Sequence, residues 1–192
     1  MSSSDEPCLY PLFVKLEGRR VLVVGAGAVA ERKIATLLDA RARVHVVSPE
    51  AMPQVQQLAS TGALDWSARA FEDRDADGAY LIVAATSIAK IQEQVAAAAN
   101  ARHAFVVAID DPTNASAYSG AVIRRSPFTI AISSSGATPA LTRLLREIIE
   151  HVLPEDAWVE HAKRLRARWI ASGTPTGERF ADLVREFAAR KK

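Results

Sequence analysis

Apolar runs broken by glycine, proline or short polar connectors set the pattern of this chain. Val21-Leu22-Val23-Val24 runs straight into Gly25-Ala26-Gly27-Ala28-Val29-Ala30 and continues through Glu31, Arg32, Lys33 and Ile34. The run is too short for a membrane span and too uniformly apolar for a strand wetted on one face, so it predicts a central parallel strand turning into a helix. That helix, over residues 28–40, groups Val29, Lys33, Leu37 and Ala40, with Ile34 and Leu38 beside them, into a stripe toward the sheet. Arg43-Val44-His45-Val46-Val47 predicts the next strand. Pro49 and Pro53 bracket the start of a helix through Val55 and Leu58 that stops at Gly62, and residues 64–68 alternate as an edge strand should. Residues 79–85 read as another buried strand, residues 88–100 as an alanine-rich helix, and residues 105–109 as a fifth strand. Strands alternating with helices in this way predict an α/β fold, a Rossmann-like doubly wound parallel sheet, ending near Pro112.

The pattern changes after Pro112. Residues 120–124 and 128–132 flank Arg125-Ser126-Pro127 and predict two antiparallel strands, marginal alone and expected to pair with a second subunit. Thr138 and Pro139 open a helix as N-cap and first-turn residue, with Leu141, Leu144, Leu145, Ile148 and Ile149 as its apolar face. Pro154 marks a break. Trp158, Leu165 and Trp169 recur at helical spacing, residues 172–177 read as a loop, and Phe180, Leu183, Val184 and Phe187 face a last helix. Near the amino terminus, Leu9-Tyr10-Pro11-Leu12-Phe13-Val14 is expected to pad the sheet edge. The expected organisation is a nucleotide-binding domain over 1–112, a small α+β dimerisation segment over 113–147 and a helical C-terminal region over 148–192.

Composition adds limits. With 49% hydrophobic and 24% charged residues, the 192-residue chain is of ordinary globular composition, and a net charge of +2 gives no general reason to bind nucleic acid or a membrane surface. Cys8 stands alone, so no intramolecular disulfide and no multi-cysteine metal site can form within one chain. The polar start, Ser2-Ser3-Ser4-Asp5-Glu6, has no apolar core of a signal peptide, and the expected address is cytoplasmic.

The strand-to-helix turn carries Gly-x-Gly-x-x-Ala, in which Gly25 and Gly27 would let backbone approach a pyrophosphate at the helix's positive end; glycine also serves tight turns for steric reasons alone. The second strand closes on Ser48 and Pro49 with Glu50 just beyond, so the ribose partner reads as Glu50 or else as backbone, and no arginine directly follows the strand to hold a 2′-phosphate, so NAD is favoured over NADP. Thr86, at the end of the next strand, reads either as a cofactor contact or as a helix cap. Asp110 reads either as a catalytic acid or base or as a turn residue. Ser133-Ser134-Ser135-Gly136 reads as an anion seat or as a helix entry. His45 and His103 read as structural, and no histidine partner or Gly-x-Ser-x-Gly elbow points to a serine nucleophile. Arg124, Arg125, Arg143 and Arg146, then Lys163, Arg164, Arg166 and Arg168, read either as solvated faces or as receptors for a polyanionic small molecule.

Taken in order, Tyr10-Pro11-Leu12-Phe13, Gly25-Ala26-Gly27-Ala28-Val29-Ala30-Glu31-Arg32-Lys33, Asp110-Asp111-Pro112, Arg125-Ser126-Pro127-Phe128 and Ser133-Ser134-Ser135-Gly136-Ala137-Thr138-Pro139-Ala140-Leu141, followed by Arg143-Leu144-Leu145-Arg146, resemble the siroheme synthase family, in its precorrin-2 dehydrogenase and sirohydrochlorin ferrochelatase module. The resemblance implies NAD-dependent oxidation of precorrin-2 to sirohydrochlorin in a homodimer, with ferrous iron inserted by some members to give siroheme. It also implies Asp110 as the main functional acid and Ser134 as a serine near the substrate pocket. Cofactor contacts carry over to Ala28 and Val29 and to Pro49 and Glu50. Ala26 departs from a common glycine and Val107 from a common asparagine. The chain is expected to end before the methyltransferase fused to this module in some relatives. No resident metal is expected, since His151 and His161 lack a carboxylate at metal-ligand spacing. The competing reading is an NAD-sensing regulatory module without catalysis.

Overall fold

The computed structural model describes residues 9–153 and 156–190; Pro154 lies outside them. The chain divides into two compact units, a first running to Ser119 together with Ser135–Ala137, and a second of Gly120–Ser134 and the chain from Thr138 on.

The first unit holds a five-stranded parallel sheet. Its strands are β1 (Arg20–Val24), β2 (Arg43–Val47), β3 (Asp65–Ser67), β4 (Leu81–Ala84) and β5 (Phe105–Ala108), in the order β3-β2-β1-β4-β5. Val21 to Val24 are 0–3% exposed, so β1 is the strand covered on both faces. Its side chains divide by alternation. Val21 and Val23 join Ile34 and Leu37 of helix α1 (Ala28–Asp39) and Val55 of α2 (Pro53–Ser60) on one face. Leu22 and Val24 join Val95, Ala98 and Ala99 of α3 (Ala89–Ala101) on the other. Burying each such Val, Leu or Ile contributes about 1.5–3 kcal/mol, which is why the apolar runs fix the sheet.

Several expectations change. The buried stripe of α1 is Ala30, Ile34 and Leu37, whereas Val29 is exposed and Lys33 half-buried. The helix begins one residue after Gly27, and that phase turns Val29 outward over its first turn. The apolar amino-terminal segment does not pad the sheet: Leu9, Tyr10, Leu12, Phe13 and Val14 are exposed, and of this stretch Leu16 is the residue that joins the core. β5 is an edge strand, with Val106 buried, Val107 and Ala108 half-buried and Phe105 exposed. Among the described residues no helix is long and apolar enough to cross a membrane.

The second unit pairs β6 (Ala121–Arg125) with β7 (Phe128–Ile132) in an antiparallel ribbon, turning at a cis Ser126–Pro127 peptide. Helix α4 (Pro139–Val152) packs on this ribbon, and α5 (Asp156–Ala171) packs on α6 (Thr176–Arg190) through Val159, Leu165 and Trp169. The loop before α6 is shorter than expected because Thr176 and Gly177 already belong to the helix, with Pro175 setting its entry. Thr138 occupies the N-cap of α4 without a side-chain cap bond. Of the expected apolar face of α4, Leu141, Leu144, Leu145 and Ile148 are exposed in the single chain, and the buried residue of the helix is Thr142.

Candidate cofactor and proton-transfer site

Because the sheet is parallel and in register, its strands end level. Val24 pairs with Val47 on one side and with Ala84 on the other, and Ala84 pairs with Ala108. The next residues of four strands therefore form one row: Ser48, Gly25, Ala85 before Thr86, and Ile109 before Asp110. The strand order reverses between β1 and β4, and in open sheets of this kind the crevice at that reversal is where ligands sit.

The glycine bend is built for approach from outside. Gly25 has φ +100°, and a Cβ there would collide with the Ala85 carbonyl, so this position needs glycine for the fold itself. Gly27 is different. It lies at the N-cap of α1 with extended backbone, and a Cβ added there would meet nothing within 4 Å. No side chain caps α1. Gly27, Ala28 and Val29 are exposed, so the first turn of a 12-residue helix presents its N–H groups and positive end to open space. A pyrophosphate fits that cradle, and a larger residue at Gly27 would fill it. Ala26, where a glycine is common, is 3% exposed with its methyl in the core, turned away from the cradle.

The turn after β2 is held against the bend. Met52 N–H donates to the Ala26 carbonyl at 3.0 Å, and Trp66 Nε1 donates to the Ser48 carbonyl at 3.1 Å. Pro49 and Glu50 stand exposed between these ties. Beyond β3, Arg69 makes a two-pronged pair with Asp75, Nη1 to Oδ2 at 2.8 Å and Nη2 to Oδ1 at 2.5 Å. That guanidinium lowers the Asp75 carboxyl below its ordinary range.

On the other side of the bend, Thr86 Oγ1 accepts from Ile88 N–H at 3.2 Å, which is helix-entry work. Asp110 and Asp111 then separate in role. Asp111 accepts from Asn114 N–H at 3.3 Å and from Asn114 Nδ2 at 2.6 Å, and so closes the turn. Asp110 is exposed, has φ +57°, and its carboxylate has no hydrogen-bond or ion-pair partner among the described residues. It stands two strands from the glycine bend, about 10 Å at ordinary strand spacing.

Ser134 belongs to the second unit and is half-buried. Its Oγ accepts from Thr138 N–H at 3.2 Å and lies 3.0 Å from Thr142 Oγ1, so it supports the entry of α4. Half of the basic groups singled out in this unit are ion-paired: Arg143 with Glu147, Arg146 with Glu147 and Glu150, Lys163 with Glu160 and Arg168 with Asp182. His45 is structural, as expected: Arg20 Nη2 donates to its Nδ1 at 3.0 Å, which leaves Nε2–H for Ser67 Oγ at 2.9 Å. Among the described residues no group of three or more His, Cys, Asp or Glu could hold a metal ion.

Two features were missed in the sequence. One is the division of labour between Asp110 and Asp111, which only the Asn114 bonds reveal. The other is Gln92, 6% exposed, whose Nε2 donates to the Thr86 carbonyl at 2.7 Å and to the Ile109 carbonyl at 3.2 Å.

The chain is similar to several known proteins. The model of a family described as putative NAD(P)-binding matches residues 12–121, and that of the sirohaem biosynthesis protein central segment matches residues 125–151. Siroheme synthase 1 of Aeromonas salmonicida is 44% identical over 171 residues, 88% of this chain and 36% of that protein. Siroheme synthase 1 of Cronobacter sakazakii is 47% identical over 144 residues, 75% of this chain and 31% of that protein. The chain thus spans about a third of the length of these curated relatives. Among solved structures, SirC, a precorrin-2 dehydrogenase, shares the fold at TM-score 0.76 and 23% identity, over 92% of this chain and 88% of that one. The glycine bend and its sheet lie within the first match, which covers more than half of the sequence, and the chain belongs to this putative NAD(P)-binding family, continued by the sirohaem biosynthesis central segment.

Proposed function

We propose that this chain is a precorrin-2 dehydrogenase, oxidising precorrin-2 to sirohydrochlorin with NAD⁺ in siroheme biosynthesis. The reading is supported by the siroheme synthases it resembles and by the match to the sirohaem central segment. The single observation that carries the chemistry is the unpartnered Asp110 carboxylate at the end of β5, level with the open glycine bend.

In this reading Gly25 shapes the bend, Gly27 leaves room for the pyrophosphate, and the N–H groups of Ala28 and Val29 hold it. Ser48, Pro49 and Glu50 line the ribose side, where the Glu50 carboxylate repels a 2′-phosphate and the committed Arg69 offers it no counter-charge, so the cofactor is NAD. Thr86 lines the opposite wall through its backbone. Bound NAD⁺ supplies the hydride acceptor. Removing two hydrogens from the macrocycle releases one as hydride and the other as a proton, and Asp110 accepts that proton at its carboxylate. Ser134, which the resemblance matches to a serine near the substrate pocket, holds the entry of α4 with its hydroxyl, and Arg124, which has no partner among the described residues, is a guanidinium of the kind that meets a substrate carboxylate.

The active form in this proposal is a homodimer joined through α4. Its exposed Leu141, Leu144, Ile148 and Val152 recur every three or four residues, an apolar stripe that a lone soluble chain rarely leaves uncovered. The two-stranded ribbon beneath it is itself marginal without further packing.

The test is Asp110→Asn assayed with precorrin-2 and NAD⁺. Turnover should fall about a hundredfold or more while NAD⁺ affinity stays within about twofold of the wild type. A fully active Asp110→Asn protein would remove Asp110 from the mechanism. Ferrous iron is a substrate of any further step, and adding it to sirohydrochlorin with and without NAD⁺ reads insertion separately from oxidation.

A further inference from the structure

Gln92 sits on the second turn of α3, 6% exposed, beneath the two loops that flank the proposed nicotinamide site. Its amide has two protons and both are spent on loop carbonyls: Thr86 O at 2.7 Å and Ile109 O at 3.2 Å. These two carbonyls come from the ends of β4 and β5. The amide can face them only with nitrogen, because the reverse orientation would set Oε1 against two carbonyl oxygens. Oε1 in turn is buried with no hydrogen-bond partner among the described residues. An apolar side chain here would keep the packing. What it would lose is the bridge.

The bridge bears on Asp110 directly. The Ile109 carbonyl is part of the peptide that leads into Asp110, and Asp110 is held at φ +57°, a conformation an aspartate adopts at a cost of about 1–3 kcal/mol unless its surroundings enforce it. β5 cannot enforce it alone, being an edge strand whose last ladder bond on this side is Ile109 N–H to the Ala84 carbonyl at 3.0 Å. We propose that Gln92 is a positioning residue: by tying the Ile109 carbonyl to the Thr86 carbonyl it fixes the left-handed turn at Asp110 and so aims the proton-accepting carboxylate at the substrate. This rests on the reading of Asp110 given above.

The experiment is Gln92→Met, which keeps the length of the side chain and removes both donors and the orphaned acceptor, studied in the full chain by crystallography and by turnover with precorrin-2 and NAD⁺. Asp110 should leave the left-handed region, and kcat should fall about tenfold to a hundredfold, as small misplacements of reacting groups do, with the dissociation constant for NAD⁺ within about threefold of the wild type. Gln92→Glu, the same shape with oxygen in place of the donor nitrogens, should also be impaired; a residue needed only for packing would instead tolerate Met, with Asp110 unmoved and kcat within about twofold of the wild type. If Asp110 keeps its φ in Gln92→Met, or moves without loss of kcat, the proposal is wrong. A fully active Asp110→Asn would overturn the acid reading alone, since the Asp110 backbone in Gln92→Met is read independently of activity.

Discussion

Two glycines two residues apart in the same bend do different work. Gly25 is required by the fold, being at φ +100° with the Ala85 carbonyl against it, whereas Gly27 faces open space. Gly25→Ala should therefore destabilise the protein by about 2 kcal/mol or more in urea unfolding. Gly27→Ala should cost the fold no more than about 1 kcal/mol yet weaken NAD⁺ binding about tenfold or more in titration calorimetry. Equal NAD⁺ affinity in Gly27→Ala and wild type would argue against the phosphate seat. His45 carries a pH signature of another kind. Burial first, then the nearby Arg20 guanidinium, lower its pKa from the ordinary 6.5, so the folded state prefers neutral imidazole. The unfolded chain then binds the proton first as pH falls, and the stabilisation present above about pH 6.5 is lost below it. His45→Gln should flatten that acid-side slope in urea unfolding between about pH 7.5 and 5.5; an unchanged slope would exclude His45 as its source. In the sequence, Asp110 and Asp111 were indistinguishable, because which carboxylate closes the turn is decided by the geometry of Asn114, three residues on.

The strands and helices of the first unit were legible because burial on two faces demands long apolar runs, and Val21 to Val24 can satisfy it only as a central strand. The phase of α1 was less so: Ala30 and Val29 are both apolar, and only the helix start at Gly27 decides which one faces the sheet. The amino-terminal Leu9 to Val14 and the apolar face of α4 share a harder ambiguity. Apolar residues announce that a surface wants covering without saying by what, and both are exposed in the single chain. For α4 the proposal names a second copy. Ile148→Asp should leave the unfolding temperature within a few degrees of the wild type but convert a dimer to a monomer in sedimentation equilibrium. A wild-type protein that is monomeric at micromolar concentration would contradict the dimer.

For the molecule as a whole, a family shared with NAD(P)-binding proteins and a central segment shared with sirohaem biosynthesis proteins occupy successive stretches, and the chain spans about a third of the siroheme synthases it resembles. The fold of the nucleotide-binding unit could be read from periodicity alone, and the chemistry could not: nothing local to Gln92 distinguishes it from a helix-face glutamine until β4 and β5 are brought side by side. The competing reading, a nucleotide sensor, shares every feature of the glycine bend and parts from the enzyme only at Asp110. Mixing the wild-type chain with precorrin-2 and NAD⁺ under anaerobic conditions and following both chromophores separates them. The enzyme forms NADH and sirohydrochlorin in equal amounts over many turnovers; a chain that binds NAD⁺ and forms neither would contradict the account.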